Sequence, residues 1–130
     1  PAFISEELRQ WSARKDAEEA RQKALFLGDP DAAKAGLDAW VAANPAPQAT
    51  LSQVADHIEH IRDAAGIDNV GVGSDFDGIP NGPVGLEGVE TYPALFAELM
   101  RRGWSDKDIA KLAGGNLLRA LRKAENVAER

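Results

Sequence analysis

The 130-residue chain has no cysteine. That excludes a disulfide framework, a cysteine-ligated zinc site and thiol catalysis. It also has no apolar run near the ~18 to 20 residues of a membrane span. Basic residues are in deficit, 15 against 21 acidic ones, for a net charge of −6. Phosphate backbones need concentrated Lys and Arg, so nucleic acid is not an expected partner. The opening Pro1-Ala2-Phe3-Ile4-Ser5 lacks an initiator Met, a basic n-region and an apolar h-region. The sequence therefore reads as starting inside a larger protein. What remains is ordinary for a globular chain: 44% hydrophobic and 28% charged residues.

Helix signals dominate. Ser5 is an expected N-cap, with Glu6 and Glu7 favouring the first turn of a helix over 6–27. Leu8, Trp11, Ala20, Ala24 and Leu27 form its intermittent apolar stripe, Glu19 and Lys23 pair at i,i+4, and Gly28 stops it. Asp29-Pro30 restarts a helix that Asn44-Pro45-Ala46-Pro47 ends. Thr50 and Gln53 make a capping box for a third helix, with Leu51, Val54, Ile58, Ile61 and Ala65 at helical spacing and Gly66 after it. Residues 69–74, Asn-Val-Gly-Val-Gly-Ser, read as the one main strand, with Gly71 and Gly73 suggesting close packing. The Gly- and Pro-rich stretch from Asp75 to Glu90 is a long loop of the kind that often carries function. Thr91, Ser105 and Asn116 are expected caps of three further helices, the last with an apolar face of Leu117, Leu118, Leu121 and Ala124. One strand cannot make a sheet, so its partners are expected outside these residues.

Chemistry is best placed where that strand ends. In parallel α/β folds functional groups sit at the carboxyl ends of strands. Asp75 stands there, ahead of a flexible loop. Spacing leaves two readings open: a working carboxylate, or Asp75 and Asp77 shaping the loop through Asx-turns. Sharper motifs fail. Ile79 occupies a ligand position of an EF-hand loop, Phe76 stands where a dinucleotide fingerprint needs glycine, and no Gly-Lys-Ser/Thr occurs. His57 and His60, at i,i+3 on the third helix, lack the acidic partner of a zinc protease and read as structural. Trp11, Trp40 and Trp104 read as packing residues.

Longer stretches carry a resemblance. Leu51-Ser52-Gln53-Val54-Ala55-Asp56-His57-Ile58, Val70-Gly71-Val72-Gly73-Ser74-Asp75-Phe76-Asp77-Gly78, Gly85-Leu86-Glu87, Tyr92-Pro93, Arg101-Arg102-Gly103-Trp104 and Gly115-Asn116-Leu117-Leu118-Arg119 resemble, in order, the membrane dipeptidases of peptidase family M19. The resemblance implies an α/β fold, the C-terminal part of a (β/α)8 barrel, with the strand at 69–74 as its eighth. It implies hydrolysis of dipeptides at a two-zinc site. Residues 1–130 would be one segment of a single barrel domain, with 6–48 a helical insertion and 50–130 the last helix–strand–helix units. Asp75 matches the family's catalytic Asp, which moves a proton from the attacking water to the leaving amine. Phe3 matches a substrate-side position that is Tyr in some members. Asp77 and Gly78 fall in the same motif and are assigned to shaping the loop. The zinc ligands of the family would all lie upstream of residue 1, so no metal ligand is expected in this chain, and the segment alone is expected to be inactive.

The expected partners are a dipeptide substrate and the remainder of the barrel, and a homo-oligomer is compatible with the sequence. Two other functions fit: a related amidohydrolase acting on another amide or a lactam, and a helical interaction module that lends its strand to a partner's sheet. The residues assign no compartment.

Overall fold

The structure, a computed structural model, describes residues 5–79 and 82–128. The chain divides into two compact units, residues 1–49 and 50–130.

The first unit pairs α1 (Glu6–Leu25) with α2 (Pro30–Ala43). Ser5 Oγ accepts from Leu8 N, and an Asp29 carboxylate oxygen accepts from Ala32 N, with Pro30 in the first turn where its missing N–H costs nothing. The Trp11 and Trp40 rings lie 6.2 Å apart, and the Trp11 indole N–H donates to Asn44 O at 2.7 Å. These contacts fasten the open end of the hairpin. Toward the other end the helices approach at Gly36, where a Cβ would run into the buried Gln22 side chain. The expected apolar stripe of α1 is only partly used. Its one buried residue is Gln22, and Leu27 lies beyond the helix and is 88% exposed. Helix α1 is held mainly by caps and exposed i,i+3 and i,i+4 ion pairs, Glu19–Lys23 among them.

The second unit contains α3 (Leu51–Ala65), α4 (Tyr92–Arg101), the short α5 (Asp106–Ala110) and α6 (Asn116–Ala128). The Thr50–Gln53 capping box forms, and Gly66 ends α3 at φ 82°. Ala55 and Ile58 of α3, Leu95 and Leu99 of α4, Trp104, Ile109 and Leu112 bury one core together with Val70 and Leu86.

A polar clamp joins α3 to the end of α4. The Arg102 guanidinium reaches Asp56 at 2.6 Å, Glu59 at 2.9 Å and Glu98 at 2.7 Å, and donates to Ser52 Oγ at 2.8 Å. Asp56, then Glu98 and Glu59, push its pKa further above the ordinary arginine value. The Trp104 indole N–H donates to Glu59 at 3.2 Å while Arg62 covers the ring at 4.7 Å.

Four expectations need correction. Residues 69–74 are not a strand. Ile67–Asn69 make a 3-10 turn, and Val70 is extended (φ −116°, ψ 141°), but among the described residues no strand lies beside it. β-Branched residues favour extended dihedrals, whereas a strand also needs a neighbour for its N–H and C=O groups. Nor do its glycines mark unusually close packing: a Cβ at Gly73 would meet nothing within 4 Å, and one at Gly71 would meet Leu112 O at 3.8 Å, an ordinary contact. Thr91 does not cap α4. It is helical itself (φ −90°, ψ −6°), and its hydroxyl donates back to Gly88 O. Asn116 does not cap α6. The kink falls at Gly114 (φ 156°), a wide turn over Lys111–Gly115 carries the chain on, and Asn116 is already in the helix. Leu117, Leu118 and Leu121 of α6 are exposed.

Arg102 holds three carboxylates with one planar fork, which lysine cannot do. Arg102→Ala should lower stability by about 2 to 3 kcal/mol, with Arg102→Lys recovering less than half. Denaturant midpoints of the two variants check this.

Candidate active site

The described residues put Asp75, Asp77 and Gly78 into one turn. It stands at the end of the extended segment that Val70 anchors in the core. Three contacts aim that segment. The buried Asn116 amide donates to Ile67 O at 2.6 Å and Val70 O at 2.8 Å. Val72 N donates to Leu112 O at 3.3 Å, from a residue that is itself fully buried. Below them, Lys111 pairs with Asp68 at 2.6 Å and Arg119 donates to Asp68 O. Motif residues that look separate along the chain, Asn116 and Arg119 on one side and 67–72 on the other, thus act on one short stretch of backbone.

At the tip, Gly78 N donates to Asp75 O at 2.9 Å, closing the turn Asp75-Phe76-Asp77-Gly78. Asp75 adopts φ 54°, the left-handed region, and is the only non-glycine residue with positive φ among those described. Asp tolerates this conformation better than most residues, but it still carries strain. Gly78 leaves room for the Asp75 carboxylate: a Cβ there would stand 2.7 Å from Asp75 Cγ and Oδ2 and would push it aside. The carboxylate therefore folds over its own turn and uses the space that a side chain at 78 would fill. Asp75 and Asp77 are both exposed to solvent.

Aromatic rings flank the turn. Phe76 meets Tyr92 with centroids 5.8 Å apart and planes tilted by 57°. Tyr92 stacks on Phe96 at 6.0 Å and 9°. The loop beyond is tied down at its far end. Leu51 N donates to Val84 O at 2.8 Å, a single parallel bridge joins Thr50 and Val84, and Gly85 (φ 85°) turns the chain so that Leu86 enters the core.

Phe3 lies outside the described residues. His57 is half-buried and His60 exposed on α3. Among the described residues no three His, Asp or Glu side chains gather to hold a metal ion. The aromatic ladder escaped sequence reading, although the i,i+4 spacing of Tyr92 and Phe96 beside a loop phenylalanine was a usable signal.

This arrangement can present one carboxylate to a ligand from a backbone held on several sides. Comparison with known proteins says where such a turn belongs. Residues 2–130 match the family described as membrane dipeptidase (peptidase family M19). The chain belongs to that family. It is 48% identical over 81 residues to "Dipeptidase 3" of Macaca fascicularis, an alignment covering 62% of this chain and 17% of the relative. Against "Dipeptidase ataJ" of Aspergillus terreus it is 49% identical over 81 residues, covering 62% of this chain and 20% of the relative. "Dipeptidase tcpJ" of Claviceps purpurea is 40% identical over 89 residues, covering 68% and 21%. The chain spans about a fifth of the length of the curated relatives it matches.

The Lys111 ammonium holds the Asp68 carboxyl below the usual carboxylate range. A depressed folded value contributes stability that is present above the unfolded pKa and fades as pH falls through the folded one. Lys111→Met should therefore be less stable than the parent near neutral pH, and the gap should close below about pH 4. Denaturant midpoints from pH 7 to pH 3 measure it; a constant gap would remove the pair from the support of this segment.

Proposed function

We propose that this chain is the C-terminal part of a dipeptidase and that Asp75 is its proton-transferring carboxylate. The observation that carries the reading is the position of Asp75. It is the one non-glycine residue with positive φ among those described, it sits at the tip of a braced segment, and it lies within the residues that match a dipeptidase family. Strain of this kind is retained where the surroundings over-determine it, and it clusters at working sites. In the reaction, water attacks the peptide carbonyl carbon. Asp75 accepts a proton from that water and delivers it to the amide nitrogen as the C–N bond breaks, leaving a carboxylic acid, which ionises to solvent, and a free amine. Asp77 and Gly78 shape the turn: Gly78 supplies the closing N–H and the room for the carboxylate.

In the complete protein, the segment over 69–74 would supply the eighth strand of a (β/α)8 barrel. Its backbone would find ladder partners in the preceding strands, and Asp75 would then stand at a strand's carboxyl end, where barrel enzymes keep their chemistry. The exposed Leu117, Leu118 and Leu121 of α6 support a segment that is covered further by the remainder of the domain. The two zinc ions implied by the resemblance would be held by that remainder.

The test uses the full-length protein. Asp75→Asn should keep its metal content and its substrate KM while turnover on dipeptides falls about 100- to 10,000-fold. Near-parental turnover would overturn the assignment of Asp75. A panel of dipeptides and lactams, run on the parent protein, decides which amide is cleaved.

A further inference from the structure

None of the ion pairs among the described residues includes Asp75. The direction of its carboxylate is set by backbone, and that backbone is in a conformation which short chains leave readily. The turn has one internal hydrogen bond, Gly78 N to Asp75 O, and its ends lead into extended chain on one side and the long loop on the other. Something has to grip the turn from outside, and the nearest grip is on the residue after Asp75. The Phe76 ring lies 5.8 Å from that of Tyr92.

Tyr92 is well suited to that task. It is the first residue of α4, a helix anchored by the buried Leu95 and Leu99. Its ring stacks nearly parallel on Phe96, one helical turn later, and both rings pack against the core. The ladder Phe76–Tyr92–Phe96 therefore runs from the strained turn to a helix that Leu95 and Leu99 anchor in the core. A tilted pair followed by a stacked pair restricts rotation at Phe76, and Phe76 shares a peptide plane with Asp75. Pivoting of the turn would have to break the first of these contacts.

We propose that Tyr92 is a positioning residue for Asp75: its ring holds Phe76, and through Phe76 it fixes the turn that aims the carboxylate. This rests on the proton-transfer role given to Asp75. The contact is made by the ring face and edge, so the phenol oxygen is dispensable. The effect falls on the chemical step rather than on substrate affinity, because a displaced base costs transition-state geometry.

Steady-state kinetics of the full-length protein on one dipeptide test it, with five variants. Tyr92→Leu should lower kcat about tenfold and leave KM within about twofold. Tyr92→Phe should restore kcat to within about twofold of the parent. In the Asp75→Asn background, Tyr92→Leu should cause no further loss, since there is no base left to aim. Phe76→Leu acts on the other side of the same contact and should reproduce the fall in kcat, which keeps the test decisive if Tyr92→Leu folds poorly. Parental kcat in both leucine variants overturns the proposal. So does an equal loss from Tyr92→Leu with and without Asp75, or a Tyr92→Phe variant as slow as Tyr92→Leu. If Asp75→Asn itself keeps parental turnover, the role of Asp75 falls; an inactive Asp75→Asn beside a parental Tyr92→Leu removes only the role of Tyr92.

Discussion

Two hydrogen bonds from one buried amide decide where the second unit sends its chain. Asn116 donates to the carbonyls of Ile67 and Val70, on either side of the point where a 3-10 turn becomes extended backbone. Those carbonyls have no ladder to enter among the described residues, and a buried carbonyl without a donor is costly. The amide satisfies both, and it fixes the exit direction as it does so. Everything distal then follows: Val70 enters the core, Val72 meets Leu112, and the strained turn at Asp75 comes at a defined distance from the helices. The kink at Gly114 is what places Asn116 there, because a straight continuation of α5 would carry its side chain elsewhere.

The Arg102 clamp plays the corresponding part on the other side of the core. It fixes α4 against α3 through charges and hydrogen bonds that an apolar contact would not register so specifically. Since α4 begins with Tyr92, the clamp at its C-terminal end also fixes the register of the ring that meets Phe76. Two polar constraints, at Asn116 and Arg102, thereby locate the two sides of the Asp75 turn independently.

Much of this was legible in local chemistry. Ser5, Asp29, Thr50 with Gln53, and Ser105 cap the helices they should, because an N-cap is a contact between residues three apart. Gly66 and Gly103 stop helices at positive φ, another local property. The capping expectations failed where a side chain had another backbone partner: Thr91 donates to Gly88 O three residues back, and Asn116 reaches much further. Asn116 serves backbone 46 and 49 residues away, and nothing in its neighbours announces that. The strand at 69–74 failed for a related reason: dihedral preference belongs to the segment, while pairing belongs to whatever lies beside it. Asp75 was legible as a candidate from its place before a loop, but its left-handed backbone was not, since that conformation is imposed by the turn and its supports.

Strain and support at this turn are two aspects of one arrangement. A left-handed aspartate held only by local bonds would relax, and the carboxylate would sample many directions. A turn with relaxed dihedrals would need fewer braces but would lay the side chain elsewhere. Gly78 shows the compromise most directly. A larger residue would make the loop stiffer by narrowing its backbone freedom, yet it would take the volume that the Asp75 carboxylate occupies. The stiffness is supplied instead by the rings of Phe76, Tyr92 and Phe96, which brace the turn from the side and leave the carboxylate exposed. The proton transfer proposed for Asp75 would need both properties, and this division of labour between a glycine and an aromatic ladder would provide them.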